Sequence, residues 1–234
     1  MKIGTFADVH GNLFAFENIY RELKKEKCDM HLFLGDICGY YYHQNEVIEI
    51  LKDIPHLKAI LGNHDELFLK SLVDEKVMKQ YTETYGRSFQ FLKESITPGN
   101  LQFLKDLPEE VHLRQQGAAG YHGSPWNSLK EYIYPDSPLL ERFDSLPFKV
   151  VFLGHTHRPM DIRLKKVRVI NPGSAGQPRH GGWPSYAVYD TQTNQLEIKE
   201  VQYNVNALTD EIKKRKEDNT YLTRVLHRIR EWQN

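Results

Sequence analysis

Cysteine is scarce in this 234-residue chain: Cys28 and Cys38 stand alone, at a spacing that fits neither a thiolate metal site nor a redox pair. The two could pair in principle, but a reducing, cytoplasmic setting with free thiols is the simpler account. An excess of one charge is missing too. Lys and Arg number 31 and Asp and Glu 31, so the whole-molecule field gives no reason to expect a polyanion such as duplex DNA; only a local basic patch could bind nucleic acid. No run of about eighteen apolar residues occurs, so no membrane span is expected. The first residues enter a strand without the cationic stretch and apolar core of a leader, so no signal peptide is expected. Internal repeats, low-complexity tracts and linkers are absent as well. These absences leave one domain, or a domain plus an appendage, long enough to bury a sizeable core.

The chain is organised by the way its strands end. Lys2 to Ala7 carries strand formers and runs into Asp8-Val9-His10-Gly11-Asn12, which puts an acid and an imidazole at a strand's carboxyl end, where open α/β sheets bind ligands. Leu13, Phe16, Ile19, Tyr20 and Leu23 then recur at helical spacing on a segment that turns lysine-rich. Met30–Leu34 reads as a buried strand ending in Gly35-Asp36, residues 45–54 as a helix stopped before Pro55, and Leu57–Leu61 as a strand ending in Gly62-Asn63-His64-Asp65. Strand, helix, strand, helix, strand is the pattern of parallel βαβ units, with three polar clusters on one sheet edge.

Residues 65–107 read as mostly helical and could cover the mouth of a site. Short strands follow at Val111–Leu113 and Ala118–Tyr121, the latter ending in His122-Gly123, and Lys149–Leu153 ends in Gly154-His155-Thr156-His157. Val167–Ile170, Ser185–Tyr189 and Gln195–Ile198 look like an antiparallel meander. The two sheets, each continued from strands of one half, argue for a single layered α/β sandwich. Residues 206–234 form a charged helical tail with Leu222, Val225, Leu226 and Ile229 on one stripe. Its run Lys213–Lys216 is flanked by Asp210, Glu211, Glu217 and Asp218, so a solvated helix face is the expectation rather than a nucleic-acid site.

Collected, the strand-end donors are Asp8, His10, Asp36, Asn63, His122, His155 and His157. Nitrogen and oxygen donors without a thiolate suit a divalent metal. They can fill two coordination spheres if one carboxylate bridges, because cations about 3.5–4 Å apart need such a bridge to offset their repulsion. Asp36, on the middle strand of the first βαβαβ unit, is the natural bridge. The other histidines, His31, His43, His56, His112, His180 and His227, have no ligand context. Gly173-Ser174-Ala175-Gly176 can be read as a phosphate cradle, but without the Walker lysine or a following helix it fits better as a tight turn under the site. Arg179 just after it is the cation first expected to touch a phosphate.

The turns Asp8-Val9-His10, Gly35-Asp36, Gly62-Asn63-His64-Asp65, His122-Gly123 and Gly154-His155-Thr156-His157 resemble the five motifs of the calcineurin-like metallophosphoesterase superfamily. They fall in its order over residues 8 to 157, and Asn171 to Gln177 is similar to a further segment of bacterial and archaeal members. The resemblance implies an α/β fold, a four-layer α/β/β/α sandwich of two mixed sheets with helices on both outer faces. Residues 1–205 would form the metallophosphoesterase domain and 206–234 a helical appendage packed on it or on a partner subunit. It implies one metal on Asp8, His10, Asp36 and His157 and another on Asp36, Asn63, His122 and His155. A bridging hydroxide would attack phosphorus, with His64 as leaving-group acid and Asp65 orienting it. Manganese or iron is favoured, with zinc, nickel or cobalt also admitted by the donors.

After Asp36 the chain reads Ile37-Cys38-Gly39-Tyr40, without the Asp-Arg-Gly whose arginine clamps a terminal phosphate in phosphoprotein phosphatases. The run Gly35-Asp36, Gly39-Tyr40, Asn45-Glu46-Val47 looks instead like small phosphodiesterases, although Tyr41-Tyr42-His43 replaces their usual Gly-Pro. Tyr40, Tyr41 and Tyr42 could stack on a nucleobase or pack under a lid. The expectation is a phosphodiesterase for small, nucleotide-like diesters, with a phosphomonoesterase on the same site as alternative. A nuclease is disfavoured for want of a basic groove, and a catalytically silent protein-binding scaffold would have been expected to lose ligands. A homo-oligomer stays open.

Overall fold

The structure, a computed structural model, describes residues 1–217 and 220–227. β1 (Lys2–Phe6) is followed by α1 (Leu13–Glu26), which starts where Asn12 Oδ1 accepts from the Ala15 amide at 3.1 Å and buries Ala15, Phe16, Ile19 and Leu23. β2 (Met30–Phe33), α2 (Gln44–Asp53) and β3 (Leu57–Ala59) complete two βαβ units. The stretch expected to be mostly helical over 65–107 divides into α3 (Asn63–Ser71), α4 (Glu75–Tyr85), α5 (Ser88–Ser95) and α6 (Pro98–Asp106). The second half comprises β4 (Glu110–Leu113), β5 (Ala118–Tyr121), a 3-10 helix (Pro138–Ser145), β6 (Val150–Leu153), β7 (Pro159–Arg163), β8 (Arg168–Pro172), β9 (Ser185–Asp190) and β10 (Gln195–Glu200). α7 (Val205–Lys214) and α8 (Thr220–His227) close the described chain. No helix among the described residues is long and apolar enough to cross a membrane.

Two mixed five-stranded sheets result, ordered β10-β9-β1-β2-β3 and β4-β5-β6-β8-β7. In the first, β1, β2 and β3 are parallel and β9 lies antiparallel to β1, Ile3 opposite Tyr189. In the second, β5, β6 and β8 are parallel, with antiparallel edges β4 and β7. The expected three-stranded meander therefore does not form. β8 is returned beside β6 by its hairpin with β7, and only β9 and β10 pair with each other. Nor does each sheet come from one half of the chain, since β9 and β10 complete the N-terminal sheet.

Side chains alternate across the strands, so each sheet has two apolar faces. Ile3, Leu32, Ala118, Val150, Phe152 and Ile170 fill the space between the sheets. On the outer face of the first sheet, Phe6 and Phe33 pack against Phe16, Ile19, Val47 and Leu51 of α1 and α2. Over the second sheet, Val151, Leu153 and Val169 meet Leu140 and Phe143 of the 3-10 helix. α7 and α8 dock on the same chain, with Leu208, Ile212, Leu222 and Leu226 buried against Ala15 and Tyr40–Tyr42. The sequence stripe's remaining member, Ile229, lies outside the described residues, as do Asp218 and the side chain of His227. Lys213, Lys214 and Lys216 are solvated as expected, but Arg215 is not: its guanidinium lies 4.5 Å over the Tyr42 ring and 2.8 Å from Glu211.

Candidate metal centre and its cleft

All seven donors meet at the carboxyl edges of the two sheets. Ligand-capable atoms of Asp8, His10, Asp36 and His157 lie within 4.8 Å of one another, and so do those of Asp36, His122 and His155. Five of the seven residues sit at positive φ: Asp8 (55°), His10 (51°), Asp36 (65°), His155 (67°) and His157 (56°). A non-glycine residue in this region costs on the order of 1–3 kcal/mol, so the turns are strained where they aim donors inward. Adjoining backbone bonds hold them, Asp8 N–H to Gly35 at 2.9 Å and His10 N–H to Asp36 at 3.0 Å. Gly62 is required nearby, because a Cβ there would collide with the backbone and carboxylate of Asp36.

Three imidazoles are oriented through Nδ1. His10 donates to the Cys38 carbonyl, His122 to Leu34 and His157 to Gln177, each at 2.7 Å. The Nδ1 proton leaves Nε2 with its lone pair pointing inward, the tautomer a metal ligand needs. Acceptor then crowds acceptor where His10 Nε2 lies 3.1 Å from His157 Nε2, while His122 Nε2 lies 2.8 Å from Asn63 Oδ1, a contact that only a proton or a cation on His122 makes favourable. Asp36 Oδ2 and His155 Nε2 are buried without a hydrogen-bond partner. Such a constellation is costly unless a cation sits among it, and the donors fit divalent metals.

Electrostatics agree. Burial, reinforced by Asp36 and resisted mainly by His122, raises the Asp8 carboxyl to about 8. Burial would raise Asp36 too, yet His122, His64 and His10 outweigh it and hold it well below its usual range. Burial drives His10 and His157 well below the ordinary histidine value, and His155 to about 3, so these rings are neutral. His122 goes the other way, to about 9, because Asp36 and Asp8 overcome its burial. The buried cluster thus holds on to protons at Asp8 and His122 that free side chains would give up, and metal cations can take their place.

His64 opens α3, its amide donating to Asp36 Oδ1 at 2.8 Å. Its ring lies among Tyr40 (5.0 Å), His10 (5.0 Å) and Tyr85 (5.3 Å), with Nδ1 buried and unpartnered. Burial lowers it to about 4. The expectation that Asp65 orients His64 is corrected. The Asp65 carboxylate accepts instead from the amides of Asp36 (2.9 Å), Cys38 (2.7 Å) and Gly62 (3.0 Å), so it shapes the Asp36 turn.

The segment Asn171–Gln177 packs under the centre and does not cradle a ligand. Ser174 is fully buried and donates to the Asp8 carbonyl at 2.7 Å, Ala175 N–H to Ala7 at 2.8 Å, and Asn171 to the Gly154 carbonyl at 2.6 Å. Arg179 follows, and its charge bears on Asp8, His10, His64, His155 and His157. Its Nη2 donates to the Tyr40 hydroxyl at 3.0 Å and its Nε is buried without a partner.

Above the donors lies a cleft of about 950 Å³ reached by Asn63, His64, Tyr40 and Arg179. The stacking reading does not hold for Tyr41 and Tyr42, which are buried against α7 and α8 away from the cleft; Tyr40 lines the cleft with 2% of its surface exposed. The exposed aromatic is Tyr132, 45% accessible and stacked on His155 at 3.8 Å. It sits in an irregular stretch without periodicity, which left no signal in the sequence.

The calcineurin-like phosphoesterase superfamily domain matches residues 1–194. An uncharacterized protein of Methanocaldococcus jannaschii is 29% identical in an alignment that covers 91% of this chain and 92% of that protein. The crystal structure of a metallophosphoesterase from Sphaerobacter thermophilus superposes with a TM-score of 0.81 at 26% identity, over 96% of this chain and 98% of the other. That of a hypothetical protein from Pyrococcus horikoshii OT3 does so at 0.82, over 96% and 97%; at 23% identity it speaks for the fold alone. With that domain spanning every donor-bearing turn, the chain belongs to the calcineurin-like phosphoesterase superfamily.

Proposed function

We propose that this protein is a dinuclear, divalent-metal-dependent phosphodiesterase acting on small, nucleotide-like diesters. The observation that carries the reading is Asp36 Oδ2, buried, without a hydrogen-bond partner, 3.6 Å from His10 Nε2 and 3.4 Å from His122 Nε2. An oxygen placed between the two donor groups suits a carboxylate shared by two cations. One cation would take Asp8, His10, Asp36 and His157, the other Asp36, Asn63, His122 and His155. Manganese or iron is favoured, and zinc, nickel or cobalt would also suit these donors.

Divalent cations bound by these residues would supply hydroxide near neutral pH and offset charge on phosphoryl oxygens. The chain's own residues set the rest. Asn63 contributes a neutral oxygen, so Asp8 and Asp36 offset only part of the cationic charge and the cleft attracts an anion. His64, neutral at rest, gains a proton beside a bound anion and gives it to the leaving oxygen. Arg179, steadied by the Tyr40 hydroxyl, holds a non-bridging phosphoryl oxygen.

The diester preference rests on charge. Ile37 and Cys38, which follow Asp36, are fully buried and bring no cation to the donors, leaving Arg179 as the arginine whose charge bears on them, while Arg87 and Arg224 line the same cleft with the carboxylates Glu83 and Glu217. A diester carries less negative charge than a monoester dianion and suits this supply. The free thiols Cys28 and Cys38 accord with a cytoplasmic setting.

The test is hydrolysis of bis-p-nitrophenyl phosphate and p-nitrophenyl phosphate by manganese-reloaded protein, beside a chelated control. Chelator-sensitive cleavage with the higher kcat/KM on the diester is expected. A preference for the monoester makes the protein a phosphatase. Absence of both turnover and bound metal returns it to a protein-binding scaffold.

A further inference from the structure

The C-terminal helices do more than cover apolar surface. α8 turns Leu222, Val225 and Leu226 into the body, while Thr220, Tyr221 and Arg224, three and four residues apart, line the same cleft as Asn63 and His64. The hairpin is tied down at its turn. Arg87 Nη2 donates to the carbonyls of Arg215 (2.5 Å) and Lys216 (3.0 Å), and the Arg87 amide donates to Glu217 Oε2 at 2.9 Å. His43 and Glu211 pair at 2.7 Å on the α7 side. A segment fixed this firmly, with its polar and aromatic side toward the cleft, is a wall rather than a loose tail.

The cleft's lining says what the wall would meet. Its volume of about 950 Å³ is that of a small-ligand pocket. Tyr85, Tyr132 and Tyr221 bring aromatic surface, and the arginines Arg87, Arg179 and Arg224 outnumber the carboxylates Glu83 and Glu217. Tyrosines with arginines suit a flat ring attached to an anion.

We infer that the α7–α8 hairpin is a specificity-determining wall of the active site. It holds the organic group that the phosphorus retains, a planar aromatic ring such as a nucleobase, and it closes that side of the cleft to polymer chains. The inference rests on the phosphodiesterase reading.

Thymidine 5′-(p-nitrophenyl phosphate) and methyl p-nitrophenyl phosphate test it, since they release the same leaving group and differ only in the group retained. In the manganese-loaded full-length protein, Tyr221→Ala should raise KM for the thymidine ester roughly tenfold more than for the methyl ester. Tyr221→Phe, which keeps the ring, should restore it. Arg87→Ala, which unties the hairpin, should shift the same ratio and admit cleavage of single-stranded oligothymidylate. Calorimetric titration gives a readout independent of turnover: Tyr221→Ala should weaken thymidine 5′-monophosphate roughly tenfold relative to inorganic phosphate. Equal effects on the two esters and the two ligands, or none, overturn the wall and leave the phosphodiesterase standing. If the wild type cleaves neither ester and binds neither ligand, the phosphodiesterase reading fails and takes the wall with it.

Discussion

The Nε2 atoms of His10 and His157 face each other at 3.1 Å, each ring pinned from behind by a backbone carbonyl on Nδ1. Two lone pairs so placed repel unless a cation or proton lies with them. Metal removal should therefore destabilise the fold as well as stop catalysis. At a free metal concentration 100 times its Kd, one site adds about 2.7 kcal/mol to unfolding stability. Scanning calorimetry should show a Tm several degrees higher with manganese than with chelator, and equal Tm values would contradict a native metal site.

His64 stands in the cleft with Nδ1 unpartnered, apart from the donor atoms. His64→Ala should keep the metal and lose rate most on substrates with poor leaving groups. An equal loss for p-nitrophenol and alkyl leaving groups would argue against the acid role.

Asp65 holds three amides of the turns that carry Asp36 and Asn63. Asp65→Ala strips these amides of their acceptor and should cost on the order of 3 kcal/mol of stability and weaken metal binding. Its residual activity should keep the wild-type dependence on leaving group. A changed dependence would reinstate Asp65 as the partner of His64.

The His43–Glu211 pair makes α7 docking depend on pH. The Glu211 hydrogen bond raises His43 above its ordinary 6.5 against burial, while Glu211, despite burial, is lowered from 4.5 by His43 and Arg215. The His43 contribution is complete below 6.5 and is lost as pH rises through its raised value. The Glu211 contribution is complete above 4.5 and is lost as pH falls through its lowered value. Hydrogen exchange of the α7 amides should be slowest between those limits. In His43→Gln the alkaline loss should vanish; its persistence would place the titration elsewhere.

The donors were legible because each closes a hydrophobic run with an acid, amide or imidazole beside turn residues, and β1, β2, β3, β5 and β6 bring those ends together. β7 escaped notice because it is an edge strand that opens on Pro159, a residue that reads as a strand breaker although at an edge its missing amide costs no ladder bond. The partner of Asp65 was misjudged because adjacency in sequence says nothing of where a carboxylate points from the first turn of a helix. Arg215 reads as part of a solvated helix face, yet its guanidinium lies over the buried Tyr42 ring once α7 folds back, a contact more than 170 residues apart that no local pattern encodes. Tyr132 could be found only in three dimensions, by its stacking on His155.

The central claim is the shared carboxylate, and metal content tests it most directly. Elemental analysis of protein reloaded with manganese and freed of excess should give two equivalents per chain for the wild type. Asp36→Asn and Asp36→Ala, shown folded by circular dichroism, should lose both ions together. Two full equivalents retained in either variant, or loss of one alone, would contradict a bridge at Asp36.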